Sequence, residues 1–404
     1  MAERIIIIGA GQAGAQAAAS LRQEGFAGAV VMIGDEPVPP YQRPPLSKAF
    51  LQGELAEERL FLRPAAFYEK ERIELKTAAA SSIDRASRTV TLTTGERLSY
   101  DKLLLATGAP PRRIGCPGAE LPGVRYLRTI ADSLALRPVL DSKKRLVVIG
   151  AGYIGLEVAA VARKAGLEVT VIEAVDRVLK RVACPPVSEF YETLHRSRGV
   201  DLRLEARLAG FEGDGHVEAV RLETGETIPC GGALVGIGAA PATALAETAD
   251  LKVDNGVWVD EATRTDDPAI WAAGDCSNFP SPLYGRRLRL ESVPNAIEQA
   301  KAAAASMAGK PAVYDAVPWF WSDQYEVKLQ TAGLGAGADA IVTRGETGAM
   351  KLSVWYLKEG RLLAVDAIND IPAFAVGKRL IAAKASPDPK ILADPDADLK
   401  SLLA

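Results

Sequence analysis

The stretch Arg4-Ile5-Ile6-Ile7-Ile8-Gly9-Ala10-Gly11-Gln12-Ala13-Gly14 decides the fold. Four consecutive isoleucines suit a strand buried on both faces of a parallel sheet. Three glycines at Gly-x-Gly-x-x-Gly spacing follow at once, and residues 13–22 form an alanine-rich run that favours helix. Residues 29–33 read as a second strand that ends at Gly34-Asp35-Glu36. Strand, glycine turn, helix and strand make one βαβ unit for binding a dinucleotide. Gly9 permits the tight turn, Gly11 lets the backbone approach a pyrophosphate, and Gly14 lets helix and strand pack closely. The helix start then offers N–H groups and a positive dipole end to the phosphates. Asp35 stands where a carboxylate accepts hydrogen bonds from an adenosine ribose, with Glu36 as its competitor.

The same pattern returns 141 residues later as Arg145-Leu-Val-Val-Ile-Gly150-Ala-Gly152-Tyr-Ile-Gly155. A helical run over 156–164 and a strand over 168–172 follow, and the strand ends at Glu173. A carboxylate there favours NADH, because the 2′-phosphate of NADPH would meet a negative charge. Arg177, close by, keeps NADPH open. Two such units in one chain imply two dinucleotides, one a bound flavin and the other a visiting nicotinamide. A nicotinamide delivers hydride, whereas a flavin can take a hydride and release single electrons.

Working outward, the chain of 404 residues suits two or three domains. Short apolar strands that end at glycine, over 102–108 and 233–238, mark crossings between domains. From Pro318 the composition changes, with Trp319, Phe320, Trp321 and Tyr325 clustered and strands expected over 351–356 and 361–367. The fold expected is α/β, with two Rossmann-like dinucleotide-binding domains of the glutathione-reductase type and a C-terminal α+β domain. Residues 1–110 and 240–317 make the FAD-binding domain, 111–239 the NAD-binding domain and 318–404 the last. The polar stretch over 386–404 is expected to be loose at its tip.

Composition excludes several classes. A net charge of -3 gives no basic field for nucleic acid. No apolar run approaches the roughly 20 residues of a membrane span, and no signal-peptide pattern opens the chain. Cys116, Cys184, Cys230 and Cys276 are widely spaced, with no Cys-x-x-Cys, which argues against a metal centre or redox dithiol and for a cytoplasmic protein. His195 and His216 fit no ligand pattern and read as structural or exposed.

Further stretches carry a family likeness. Pro40-Tyr-Gln-Arg-Pro-Pro-Leu-Ser-Lys48, Ala106-Thr-Gly108, Ala273-Gly-Asp275, Glu291-Ser-Val-Pro-Asn-Ala296 and Pro318-Trp-Phe-Trp-Ser-Asp-Gln324 span nearly the whole chain. Together they resemble the FAD-dependent ferredoxin reductases of bacterial oxygenase systems. The resemblance implies that Asp275 binds the ribityl chain of FAD and that Val293 contacts the flavin through its backbone. It places Arg43 and Lys48 along the FAD site, Ala80 and Arg128 near the adenosine and pyrophosphate, and Trp319 and Trp321 near the flavin edge. Lys48 would reach the ring and pair with Glu157. A cation there stabilises the anionic reduced flavin, and a buried cation needs a partner. The implied partner is a 2Fe–2S ferredoxin feeding a haem-thiolate monooxygenase or a Rieske-type oxygenase. A rubredoxin reductase and a flavoprotein merely switched by NADH are the alternatives. Such carriers are acidic, so the basic run Arg286, Arg287 and Arg289 is the candidate docking face.

Overall fold

The computed structural model describes residues 3–346 and 348–403. The chain divides into two compact units. One comprises Met1–Gln42, Glu57–Pro110 and Ala240–Pro318, the other Arg43–Ala56, Pro111–Ala239 and Trp319–Ala404.

The first unit is built on a parallel five-stranded sheet in the order Ile270–Ala272, Lys102–Leu105, Arg4–Ile8, Ala29–Gly34, Ile73–Thr77. Ile5, Ile6 and Ile7 in its central strand are fully buried, as a strand covered on both faces requires. The helix Gln12–Gln23 packs against the sheet and against the helix Val293–Met307. The meeting surfaces are Ala13, Ala17 and Ala18 on one helix and Ala296, Ala300, Ala303 and Ala304 on the other. Small side chains on both sides let these helices approach closely. A small antiparallel sheet of Ala80–Asp84, Thr89–Leu92 and Arg97–Ser99 completes the βαβ excursion.

The second unit repeats the parallel design, in the order Val200–Arg203, Val169–Ile172, Leu146–Ile149, Gly232–Val235, Val124–Arg125. The helix Tyr153–Lys164 follows its central strand, beginning three residues before the expected run. The C-terminal part is an antiparallel sheet ordered Trp319–Gln324, Val327–Gly333, Arg361–Ile368, Leu352–Lys358, Ala340–Arg344, with the helix Ile371–Ala382 against it. The polar tail departs from expectation. It forms a short helix Pro389–Ala393 and a 3-10 turn Leu399–Leu403, and Leu392 and Leu399 are buried. The Arg344 guanidinium donates to the carbonyls of Ile391, Asp394, Pro395 and Ala397, which pins the segment. Ala404 lies outside the described residues.

His195 and Asp366 are among the buried titratable groups of this unit. His195 Nε2 is 2.8 Å from Gln324 Oε1, and burial pushes the imidazole down to about 4. Asp366 accepts from Thr331 Oγ1 at 2.5 Å and from the Tyr356 hydroxyl, yet burial still pushes it up to about 6. Their linkages to folding have opposite signs. The unfolded chain binds the His195 proton more tightly, so that contribution is lost as pH falls from 6.5 through about 4. The folded chain binds the Asp366 proton more tightly, so that contribution is lost as pH rises from 3.8 through about 6. Each is on the order of 3 kcal/mol. Relative to the unchanged chain, His195→Gln should therefore be more destabilised at neutral than at acid pH, and Asp366→Asn the reverse. Urea-denaturation midpoints across the acid range check both slopes, and parallel curves for all three proteins would refute them.

Candidate functional site: two glycine loops and a buried ion pair

The first glycine loop shows why the sequence needs three glycines. Gly9 has φ +115, and a Cβ on it would lie 2.1 Å from the Ala106 carbonyl oxygen. A Cβ on Gly14 would lie 1.9 Å from the Gly9 carbonyl oxygen, so strand and helix touch through backbone alone. Gly11 differs. Its φ is an ordinary -86, and a Cβ there would meet nothing within 4 Å. It is the helix N-cap and makes no side-chain capping bond. The space before the helix start is thus open where a pyrophosphate would lie, and the residues present fit that group. At the end of the Ala29–Gly34 strand Asp35 is exposed, whereas Glu36 Oε2 accepts from the Tyr41 hydroxyl at 2.5 Å. Asp35 is therefore the more accessible carboxylate. Asp275 follows Gly274, whose φ is +83, and Val293 opens the helix capped by Ser292 Oγ.

The second loop has the same construction. Gly150 has φ +100, and a Cβ on Gly155 would lie 2.2 Å from the Gly150 carbonyl oxygen. Gly152 caps the Tyr153–Lys164 helix without a side-chain bond, and a Cβ there would meet only the Gly236 carbonyl oxygen, 4.0 Å away. Glu173 stands against this loop, with Oε2 accepting the Ala151 N–H at 2.7 Å. Arg177 is held locally, donating to the Ala183 carbonyl at 2.8 Å, to Ser188 Oγ at 2.6 Å and to the Lys180 carbonyl at 3.2 Å.

The same unit gathers the other candidates. Arg43 donates to the Arg128 carbonyl at 2.6 Å, and Arg128 precedes the Thr129–Asp132 capping box of the next helix. Lys48 Nζ lies 2.5 Å from Glu157 Oε2. Glu157 is 5% exposed, deeply buried for a carboxylate. Its remaining valences are met by Ser47 Oγ, 2.5 Å from Oε2, and by Ser322 Oγ, 2.7 Å from Oε1. Sequence reasoning assigned no role to either serine. The signal was present in alternation. Phe320, Ser322 and Gln324 occupy one face of the Trp319–Gln324 strand. Tyr153 and Glu157 are four apart on the helix, so they share one of its faces. Two strand residues advance about 6.7 Å, and four helical residues about 6 Å. The pitches match, and Phe320 meets the Tyr153 ring at 4.5 Å between centroids while Ser322 meets Glu157. Trp319 and Trp321, on the opposite strand face, stack at 5.6 Å.

The basic run is corrected by the structure. Arg287 donates to Asn278 Oδ1 and to the Val259 and Asn278 carbonyls, and its guanidinium lies 3.4 Å over the Trp258 ring. Arg289 is 11% exposed, pairs with Glu291 and donates to the Asp275 carbonyl. Both guanidiniums are spent on the fold, which leaves Arg286 as the exposed member.

Two open-fronted glycine loops, each trailed by a carboxylate, suit an oxidoreductase that works with a flavin and a pyridine nucleotide. Residues 3–300 match the pyridine nucleotide-disulphide oxidoreductase family, and residues 319–403 match the reductase C-terminal family. The chain belongs to the pyridine nucleotide-disulphide oxidoreductase family, whose members work with a flavin and a pyridine nucleotide. It is 45% identical to rhodocoxin reductase of Rhodococcus erythropolis, over 99% of this chain and 94% of that protein. It is 44% identical to putidaredoxin reductase of Pseudomonas putida, over 100% of this chain and 97% of that protein. The solved covalent complex of putidaredoxin reductase with putidaredoxin superposes with a TM-score of 0.97 at 43% identity, covering 99% of this chain and 98% of that one.

The glycines separate folding from binding. Gly14→Ala forces a carbon into the Gly9 carbonyl and should cost about 3 kcal/mol or more. Gly11→Ala fills open space, so it should fold like the unchanged chain yet retain less than a tenth of the flavin. Thermal melting and the absorbance ratio of the purified proteins report the two effects. A Gly11→Ala protein that keeps its full flavin content would remove Gly11 from the pyrophosphate site.

Proposed function

We propose that this chain is an NADH:ferredoxin oxidoreductase that carries FAD and passes electrons to a 2Fe–2S ferredoxin serving a haem-thiolate monooxygenase or a Rieske-type oxygenase. The observation that carries the reading is the state of the thiols. All four cysteines are free, and burial pushes each thiol up, Cys230 to about 11. None is poised as a thiolate nucleophile. In a family named for disulphide chemistry, thiols without a dithiol partner support an exit for the electrons by another route, to an external carrier. Whole-chain likeness to rhodocoxin and putidaredoxin reductases, including the C-terminal sheet, supports a ferredoxin as that carrier.

Residues 1–110 and 240–317 are proposed as the FAD domain, 111–239 as the NAD domain and 318–404 as the C-terminal domain. Of the residues that the family resemblance assigns to FAD, the first unit carries Gly9, Gly11, Gly14, Asp35, Ala80, Asp275 and Val293. The second carries Arg43, Lys48, Arg128 and Trp321. Gly150, Gly152, Gly155 and Glu173 take the nicotinamide dinucleotide. Bound flavin accepts two electrons as hydride and releases them singly. For that chemistry the chain supplies alignment and charge, with no side-chain acid or base required. The helix start at Gly11 binds the pyrophosphate, Asp35 accepts from the ribose, and Lys48 supplies a cation whose counter-charge is Glu157. Glu173 repels a 2′-phosphate, and Arg177, already bound to three local oxygens, is poorly placed to offset that repulsion. Four reduced cysteines support a cytoplasmic setting. Among the described residues no helix is long and apolar enough to cross a membrane, and no group of acidic, cysteine and histidine side chains could hold a metal ion.

Anaerobic stopped-flow mixing tests the reading. NADH should bleach the flavin at least about tenfold faster than equal NADPH, an order set by about 1.4 kcal/mol of charge repulsion. A 2Fe–2S ferredoxin should then restore the oxidised spectrum. Preference for NADPH would refute the role of Glu173. Reoxidation by rubredoxin but not by ferredoxin would replace the carrier.

A further inference from the structure

The Lys48–Glu157 pair does not stand alone. Glu157 Oε1 accepts from Ser322 Oγ at 2.7 Å. Ser322 Oγ accepts from Gln324 Nε2 at 3.2 Å, and Gln324 Oε1 lies 2.8 Å from His195 Nε2. Ser322, Gln324 and His195 are each at most 1% exposed, so water does not compete for these bonds. The polarity of the chain is determined at both ends. An ionised carboxylate only accepts, so Ser322 must donate to it. Ser322 then accepts from the Gln324 amide, whose oxygen is left to accept from His195. His195 must therefore carry its proton on Nε2. Nδ1 is buried without a hydrogen-bond partner, which suits a lone pair better than an N–H. Burial keeps this imidazole neutral, so the chain delivers hydrogen bonds and no second charge.

We propose that Ser322, Gln324 and His195 are positioning residues, a one-directional donor chain that holds the Glu157 carboxylate in place and thereby sets how strongly Lys48 stabilises reduced flavin. This rests on the proposed function, in which Lys48 serves the flavin. The donors spread part of the carboxylate charge along the chain, and they deny Glu157 the freedom to turn away from Lys48 or to draw it aside. With the Ser322 hydroxyl gone, Oε1 of a buried carboxylate lacks its donor. Glu157 then takes more of the Lys48 charge for itself, and the cation does less for the flavin.

The experiment is a spectroelectrochemical titration of the flavin-loaded full chain. Ser322→Ala should lower the equilibrium constant for flavin reduction about tenfold, which for a two-electron couple is a midpoint about 30 mV more negative. Ser322→Thr, which keeps the hydroxyl, should restore the midpoint. Gln324→Leu, one bond further away, should shift it about threefold in the same direction, and Lys48→Met should shift it most. A change confined to packing would lower the melting temperature and leave the midpoint alone. An unshifted midpoint in Ser322→Ala beside a shifted Lys48→Met overturns the chain while sparing the role of Lys48. Unshifted midpoints in both overturn the chain and the placement of Lys48 together. If Ser322→Ala fails to fold, Gln324→Leu decides, and an unshifted midpoint there overturns the proposal.

Discussion

A helix start can face a diphosphate only if nothing of the protein's own stands in front of it, and a strand–turn–helix can meet that condition only with glycine. The two loops meet it identically. Gly9 and Gly150 adopt positive φ to reverse the chain within one residue. Gly14 and Gly155 then bring a helix onto a carbonyl so closely that even one methyl group has no room. Each close approach fixes the axis of its helix against the central strand. The N–H groups of the first turn therefore point along the sheet's carboxyl edge in each unit. Everything else in the parallel sheets follows from holding those axes, including the alanine faces that let the Gln12–Gln23 and Val293–Met307 helices close on each other.

A buried carboxylate imposes the second constraint. Taking Glu157 out of water costs several kcal/mol unless its oxygens find donors. Lys48 and Ser47 satisfy one oxygen and Ser322 the other. Those donors come from an excursion near the N-terminus and from a strand whose Ser322 lies 165 residues after Glu157. Their convergence locates the C-terminal sheet on the Tyr153–Lys164 helix more specifically than apolar packing would, because a slip of one residue along the strand would put Trp321 or Asp323 opposite Glu157. The match between strand and helix pitch lets the same register serve Phe320 on Tyr153 and Ser322 on Glu157, while Gln324 on the same strand face reaches His195 on the Pro185–Ser197 helix.

What could be read directly from the sequence was whatever depends on neighbours in the chain. The isoleucine strand, the glycine spacing and the trailing carboxylates are local requirements, and they gave the two βαβ units, whereas the strand orders came from the structure. Lys48 and Glu157 came through resemblance to a family, and the structure places them in contact. Ser47, Ser322 and the role of His195 were hidden because their meaning lies in contacts 110, 165 and 129 residues apart in the chain. The arginine run failed for the opposite reason. Adjacent charges look like a surface patch, but Arg287 and Arg289 are drawn inward by carbonyls that the sequence does not display as acceptors. The tail misled similarly, since its prolines and aspartates conceal two leucines that the fold buries and a distant arginine that caps its carbonyls.

These constraints divide the work of an electron-transfer protein. On the proposed function the glycine loops offer backbone N–H groups to diphosphates, with no side chain of their own in front of the helix start. Charge is introduced separately, at the Lys48–Glu157 pair, where burial makes it strong and where donors can adjust it. A cation placed in water would be screened and would vary with salt. A buried cation without a counter-charge would be lost by deprotonation. The pair sets a partly covered cation against a buried counter-charge, and on the proposal above a chain of neutral donors behind Glu157 tunes it without altering the net charge of the site.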